Sequence, residues 1–155
     1  MPRRRLHKGV SLVLFVTVVV AMGLLVGGLS APGAWYEELR KPVFNPPGWV
    51  FGPVWAVLYV LIAISGWRTF SRVPRSRVMG VWAAQLALNW AWTPVFFVAH
   101  QVWAAFAVLV LMLVLILNFI AGTWRQDKVA SVLFLPYAAW VGFAGLLNLS
   151  IAVLN

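Results

Sequence analysis

The 155-residue chain contains no cysteine, so disulfides, iron–sulfur clusters and thioether-linked haem are excluded. It has only three acidic residues, Glu37, Glu38 and Asp127, and none falls within an apolar run. Proton-coupled transporters keep ionisable groups at depth, and this chain offers none. No lysine interrupts an apolar run either, which removes a retinal-type Schiff base. The two histidines, His7 and His100, stand near the ends of such runs and supply no axial pair for a buried haem. No internal repeat of the kind transporters show is visible, and no metal site is expected.

What the chain does have is hydrocarbon. Of its residues 63% are hydrophobic and 10% charged, against about a quarter charged in an average soluble domain. Five apolar stretches stand out, Val10–Leu29, Trp49–Trp67, Val78–Ala99, Val102–Trp124 and Val129–Leu154. Each approximates the ~20 residues that cross a bilayer core as a helix. Backbone groups in lipid must be satisfied internally and no alternating barrel pattern is present, so helices are the expected form. The expectation is one all-α integral membrane domain over residues 1–155, a bundle of five transmembrane helices with a structured first loop over 30–48. The first apolar run is too long for the core of a signal peptide and lacks a persuasive cleavage site.

The net charge of +9 is placed for topology rather than for nucleic acid. Arg3, Arg4, Arg5 and Lys8 precede the first run. Arg68, Arg72, Arg75 and Arg77 follow the second, and Arg125 and Lys128 follow the fourth. Only Arg40 and Lys41 lie on the other side. This positive-inside pattern predicts a cytoplasmic N-terminus, with the first loop and the C-terminus outside.

The first loop, Trp35-Tyr36-Glu37-Glu38-Leu39-Arg40-Lys41-Pro42-Val43-Phe44-Asn45-Pro46-Pro47-Gly48, differs from all around it. It holds two of the three acids and three of the nine prolines, and reads as a structured cap. Pro46 and Pro47 open the next helix, with Asn45 placed as its N-cap. In the third run Gln85, Asn89, Trp92 and Phe96 recur at four, three and four and share one narrow helical face. The amides read either as glue between helices or as ligand contacts. The opposite face carries Ala83, Ala87 and Ala91, a small-residue row suited to close helix approach, either within the monomer or, as the favoured expectation, at a homodimer interface. The fifth run aligns Tyr137, Trp140, Ala144 and Asn148, and the second sets Trp55 one turn from Tyr59. Pro94 and Pro136 fall inside helices and are expected to bend them or free nearby carbonyls. Trp103 and Trp124 suit an interfacial belt, whereas Trp55, Trp92 and Trp140 lie too deep for one. Each has a polar neighbour on its own face, which favours an aromatic pocket over core filler.

These segments together resemble the translocator protein family (TspO/MBR, tryptophan-rich sensory proteins). The matching residues are Trp35-Tyr36, Leu39-Arg40-Lys41-Pro42 and Pro46-Pro47, then Trp55-Ala56-Val57-Leu58-Tyr59. Gln85-Leu86, Asn89 through Phe97, Leu135-Pro136-Tyr137, Trp140 and Asn148 complete them. The resemblance implies five transmembrane helices, frequent homodimers, and a pocket roofed by the first loop. It implies binding of porphyrins and haem-related tetrapyrroles, with no covalently bound cofactor, and in some members of sterols or drug-like ligands. Trp55 and Trp140 match pocket tryptophans linked in some members to light-dependent porphyrin breakdown. Gln85 and Asn89 match polar pocket positions, Ala144 a small position that affects affinity, and Tyr137 the tyrosine of the sterol-associated segment.

Two departures stand out. Phe44 occupies a position that is usually Trp, which keeps a flat face but loses an indole N–H. No Lys or Arg follows Tyr137, although the proposed sterol motif requires one. The expected function is a membrane-embedded binder or sensor of tetrapyrroles. Stacking would come from Trp55, Trp140 and Phe44, Trp35 is a further expected ligand contact, and Arg40 or Lys41 would meet a propionate. Photo-oxidative degradation by Trp55 and Trp140, transport of porphyrin or lipid, and a purely structural scaffold are the alternatives.

Overall fold

The computed structural model describes residues 2–155, with side chains from Lys8 onward; the side chains of Arg3, Arg4, Arg5 and His7 lie outside the described residues. Six α-helices form rather than five: α1 (Pro2–Leu29), α2 (Ala34–Glu38), α3 (Phe51–Arg72), α4 (Arg77–Phe97), α5 (Val102–Thr123) and α6 (Lys128–Leu154), with a 3₁₀ turn at Gly48–Val50. The extra helix is the five-residue α2, which the first loop folds for itself.

Among the described residues four segments are long and apolar enough to cross a membrane: Lys8–Leu29, Gly48–Arg72, Val102–Thr123 and Lys128–Leu154. The third apolar run does form a helix of 21 residues, α4. Its hydropathy is diluted by Gln85, Asn89, Thr93, Pro94 and three tryptophans, because this helix carries much of the polar interior.

Local signals explain the helix ends. The Ser76 hydroxyl accepts from the Met79 amide at 3.2 Å and caps α4, and Asp127 accepts from the Ala130 amide at 3.3 Å to cap α6. Asn45 is not the N-cap of α3: its amide donates to the Pro46 carbonyl at 3.1 Å, and the helix is entered through the 3₁₀ turn behind Pro47. Helices α4 and α6 run through Pro94 and Pro136 as continuous elements.

Around the bundle the helices follow the order α1, α3, α6, α5, α4, with sparser contacts closing the ring between α4 and α1. Phe15, Val16, Val19, Val20 and Gly23 give α1 one inward stripe at helical spacing. Val13, Leu14, Val18, Leu24 and Leu29 of the same helix are exposed. The core proper is filled by Ile62, Leu109, Met112, Ile116, Phe119, Phe134 and Tyr137, all fully buried.

At one end of the bundle Asp127 holds α3 to the start of α6. Arg68 reaches its two oxygens at 2.8 and 3.0 Å, and Arg72 lies 3.1 Å from the second. Burial works against ionisation of this carboxyl. The hydrogen bonds from Arg68 and the Ala130 amide, with the charges of Arg68 and Arg72, outweigh it and hold the group below its ordinary range.

Candidate functional site

At the opposite end the first loop lies across the helices as a lid. Trp35 meets Phe96 edge-on at 5.7 Å and stacks on His100 at 4.0 Å. Tyr36 packs against Phe96 and Phe97 at 6.1 and 5.3 Å. His100 has φ 55°, a left-handed conformation that closes the turn between α4 and α5 and is uncommon outside glycine. The lid is also tied to the end of α6. The Arg40 amide donates to Asn155 Oδ1 at 2.9 Å, and the Asn155 amide returns a bond to the Arg40 carbonyl at 3.1 Å.

Beneath the lid is a cavity of about 700 Å³, inside the ~300–1,000 Å³ range of small-molecule sites. One wall is α1, where Gly23, Gly27 and Gly28 present backbone. The opposite wall is aromatic, with Trp92, Phe96 and Phe97 from α4. Phe51, Trp55 and Tyr59 of α3 join them, and Ala144, Leu147, Asn148 and Ile151 of α6 add to the lining, with Leu24 between the glycines of α1. Tyr36 and Lys41 reach down from the lid. The Trp55 indole N–H has no hydrogen-bond partner among the described residues. Trp92 donates to Asn148 Oδ1 at 3.2 Å, and Asn148 donates to the Val102 carbonyl at 2.9 Å. Burial pushes the Tyr36 hydroxyl up, so it remains a neutral donor at the rim.

Six of the twelve residues expected to contact ligand therefore line the cavity: Trp55, Tyr59, Trp92, Phe96, Ala144 and Asn148. The other six lie elsewhere. Gln85, Asn89 and Tyr137 are buried beneath it in a directed chain. Tyr59 donates to Asn89 at 2.7 Å, Asn89 donates to Tyr137 at 2.8 Å, and Tyr137 donates to Gln85 at 2.8 Å. Of the two readings of the amides, the geometry here is that of glue between helices: the chain bonds three of them, and only its Tyr59 end forms part of the cavity wall.

Trp35 is a lid anchor. Trp140 sits behind Phe51, edge-on at 5.8 Å, with its N–H buried and unpartnered. Phe44 is exposed because the Asn45 amide bonds the Pro42 carbonyl at 3.0 Å, turning Val43 and Phe44 outward at the corner. Lys41 is largely occupied by the lid itself, donating to the Glu37 and Leu39 carbonyls and lying over the Tyr36 ring. Ala83 and Ala87 are exposed on the outer face of α4, and Ala91 is half-buried.

The glycine wall is the part that the aromatic motifs did not point to. Its only signal is the Gly23–Gly27 spacing of one helical turn. A Cβ on Gly23 would lie 2.3 Å from the Tyr59 ring, whereas Gly27, Gly28 and Gly52 have open space before them. Among the described residues no group of His, Cys, Asp and Glu is placed to hold a metal.

The model of the TspO/MBR family matches residues 15–154. The chain is 38% identical over 151 residues to Protein CrtK of Rhodobacter capsulatus, covering 94% of each chain. It is 37% identical over 144 residues to the tryptophan-rich sensory protein of Cereibacter sphaeroides, covering 92% of this chain and 91% of that one. It is also 37% identical over 145 residues to the translocator protein of Homo sapiens, covering 85% and 83%.

Proposed function

The chain belongs to the TspO/MBR family, an integral membrane protein by that membership and by its long apolar helices, and on this footing we propose that it binds porphyrins and related tetrapyrroles under the lid. The carrying observation is the shape and chemistry of the cavity. A tetrapyrrole is a flat, largely apolar disc with anionic propionates at one edge. Trp55, Trp92 and Phe96 offer ring faces for the disc, and Gly23, Gly27 and Gly28 of α1 offer backbone beside Leu24. Lys41 and the Tyr36 hydroxyl stand at the lid where carboxylates would emerge.

In this reading α4 spans the bilayer with the four more apolar helices, giving five crossings. The concentration of cations at the end opposite the lid supports an inside N-terminus and an outside lid. The exposed Ala83 and Ala87 support a homodimer through α4. Titration of the purified protein with protoporphyrin, haem and a sterol, followed by absorbance and tryptophan fluorescence, tests the assignment. Saturable binding of the tetrapyrroles, weakened about tenfold or more in Trp55→Ala, is expected; absence of a saturable change refutes it.

A second reading, light-dependent degradation of the bound porphyrin, draws support from Trp55. Its ring lies 5.6 Å from Tyr59 and 6.3 Å from Tyr137, so an oxidisable indole at the cavity is backed by two phenols, of which Tyr59 also lines it. Loss of porphyrin absorbance under illumination, compared between parent and Trp55→Phe, separates a degrader from a binder.

A further inference from the structure

At the end of the bundle away from the lid, α1 and α3 enclose a second hollow of about 180 Å³, lined by Lys8, Trp67, Arg68, Ser71 and Arg72. Its charge is unbalanced: three cations surround it, and the one carboxylate in contact with them, Asp127, is shared by Arg68 and Arg72. That sharing fixes the Arg68 guanidinium in place. Donors nonetheless remain. Arg72 uses Nη1 on Asp127 and the Gln126 carbonyl, while its Nε and Nη2, the Lys8 ammonium and the Ser71 hydroxyl have no partner among the described residues. Trp67 forms the apolar side of the hollow and ties α3 to α1 by donating to Ser11 Oγ at 3.0 Å.

The position matters as much as the charge. Lys8 directly precedes the first apolar run, and Arg68 and Arg72 close the second, so the hollow sits at headgroup level. Tryptophan is enriched at that level, and basic pockets between helices there suit anionic lipid. We propose that this hollow binds the phosphate of an anionic phospholipid, with Lys8, Ser71 and Arg72 donating to its oxygens and Trp67 lying along the glycerol. It is a site distinct from the cavity under the lid and too small for a tetrapyrrole.

The test uses the full chain in mild detergent with an equimolar mixture of phosphatidylglycerol and phosphatidylcholine, read by native mass spectrometry. Preferential retention of phosphatidylglycerol is expected. Lys8→Gln and Arg72→Gln should each weaken it about tenfold, the effect of losing one charge-assisted hydrogen bond. Arg125→Gln removes an exposed cation from the same end but outside the hollow and should change retention less than about twofold. Arg72 also touches Asp127, so each variant is melted alongside; Lys8→Gln, which has no part in that pair, carries the test if Arg72→Gln fails to fold. Equal retention of the two lipids overturns the site, as do equal losses in Lys8→Gln and Arg125→Gln. Displacement of phosphatidylglycerol by inorganic phosphate would assign the hollow to a free anion and overturn the lipid assignment.

Discussion

Replacing Gly23 by alanine should damage the protein far more than replacing Gly27, although both glycines face the cavity from the same helix. A Cβ at Gly23 would meet three atoms of the Tyr59 ring between 2.3 and 2.6 Å away, and a Cβ at Gly27 would meet nothing within 4 Å. Tyr59 cannot simply step aside, because its hydroxyl is held by Asn89 at 2.7 Å. Overpacking of this kind costs about 1–3 kcal/mol, and surrender of the hydrogen bond adds about 0.5–1.5 kcal/mol. Both substitutions gain similarly in helix propensity, up to about 1 kcal/mol, so that gain cancels between them. Gly23→Ala should therefore be less stable than Gly27→Ala by roughly 1.5–4.5 kcal/mol, summing those two costs. Unfolding by SDS titration, followed by circular dichroism, measures the difference. The Tyr59→Phe background isolates its cause: with the hydroxyl removed the ring can shift, and the Gly23→Ala penalty should shrink. Equal stability of the two alanine variants would refute the close-packing argument, and an undiminished penalty in Tyr59→Phe would refute the role of the hydrogen bond.

Asn89→Leu should cost about 1–3 kcal/mol and more than Gln85→Leu in the same SDS titration, because Asn89 serves two tyrosines while the Gln85 amide nitrogen already lacks a partner. Asp127→Asn should destabilise by about 1–3 kcal/mol near neutral pH, the loss of charge-assisted bonds to a partly exposed partner. Since the folded carboxyl is held below its ordinary range, its stabilisation is complete above about pH 5 and is lost progressively as pH falls through the ordinary carboxylate range to the lowered folded value. The parent's melting temperature should fall there and the variant's should not fall with it. Asn155→Ala removes the two bonds to Arg40 and should raise hydrogen exchange at the Arg40 amide while leaving α3 and α5 protected.

The long helices were legible because their signal is hydropathy over twenty residues, and the packed faces of α4 and α6 because periodicity reports them. Helix α2 was not, since five residues within a loop carry no period and form by docking Trp35 and Tyr36 on Phe96 and Phe97. Within the site, the residues on α3 and α4 that reach the cavity share faces that the sequence marks with aromatics and amides. Depth along a helix is harder to read. Gln85 and Asn89 share a face with Trp92 and Phe96 yet sit below the cavity floor, and Tyr137 lies below Ala144 in the same way. Phe44 lies away from the cavity for a different reason: a backbone bond across Pro42–Asn45 decides which way it points. The wall on α1 left almost no mark, because glycine contributes by what it omits.

That wall bears on the thermodynamics of anything that enters the cavity. Ordering a flexible side chain on binding costs about 0.5–1.5 kcal/mol, and a groove lined with leucine or methionine would incur it repeatedly. Gly23, Gly27 and Gly28 have no rotamers to lose. Facing them, Trp55, Trp92 and Phe96 have two torsions each and already rest against neighbouring rings. A guest held between those surfaces finds both sides prepared before it arrives. The association should therefore be limited by dehydration of the cavity, movement of the lid and ordering of Leu24 and Leu147, and the glycine and aromatic faces should contribute little unfavourable entropy of their own.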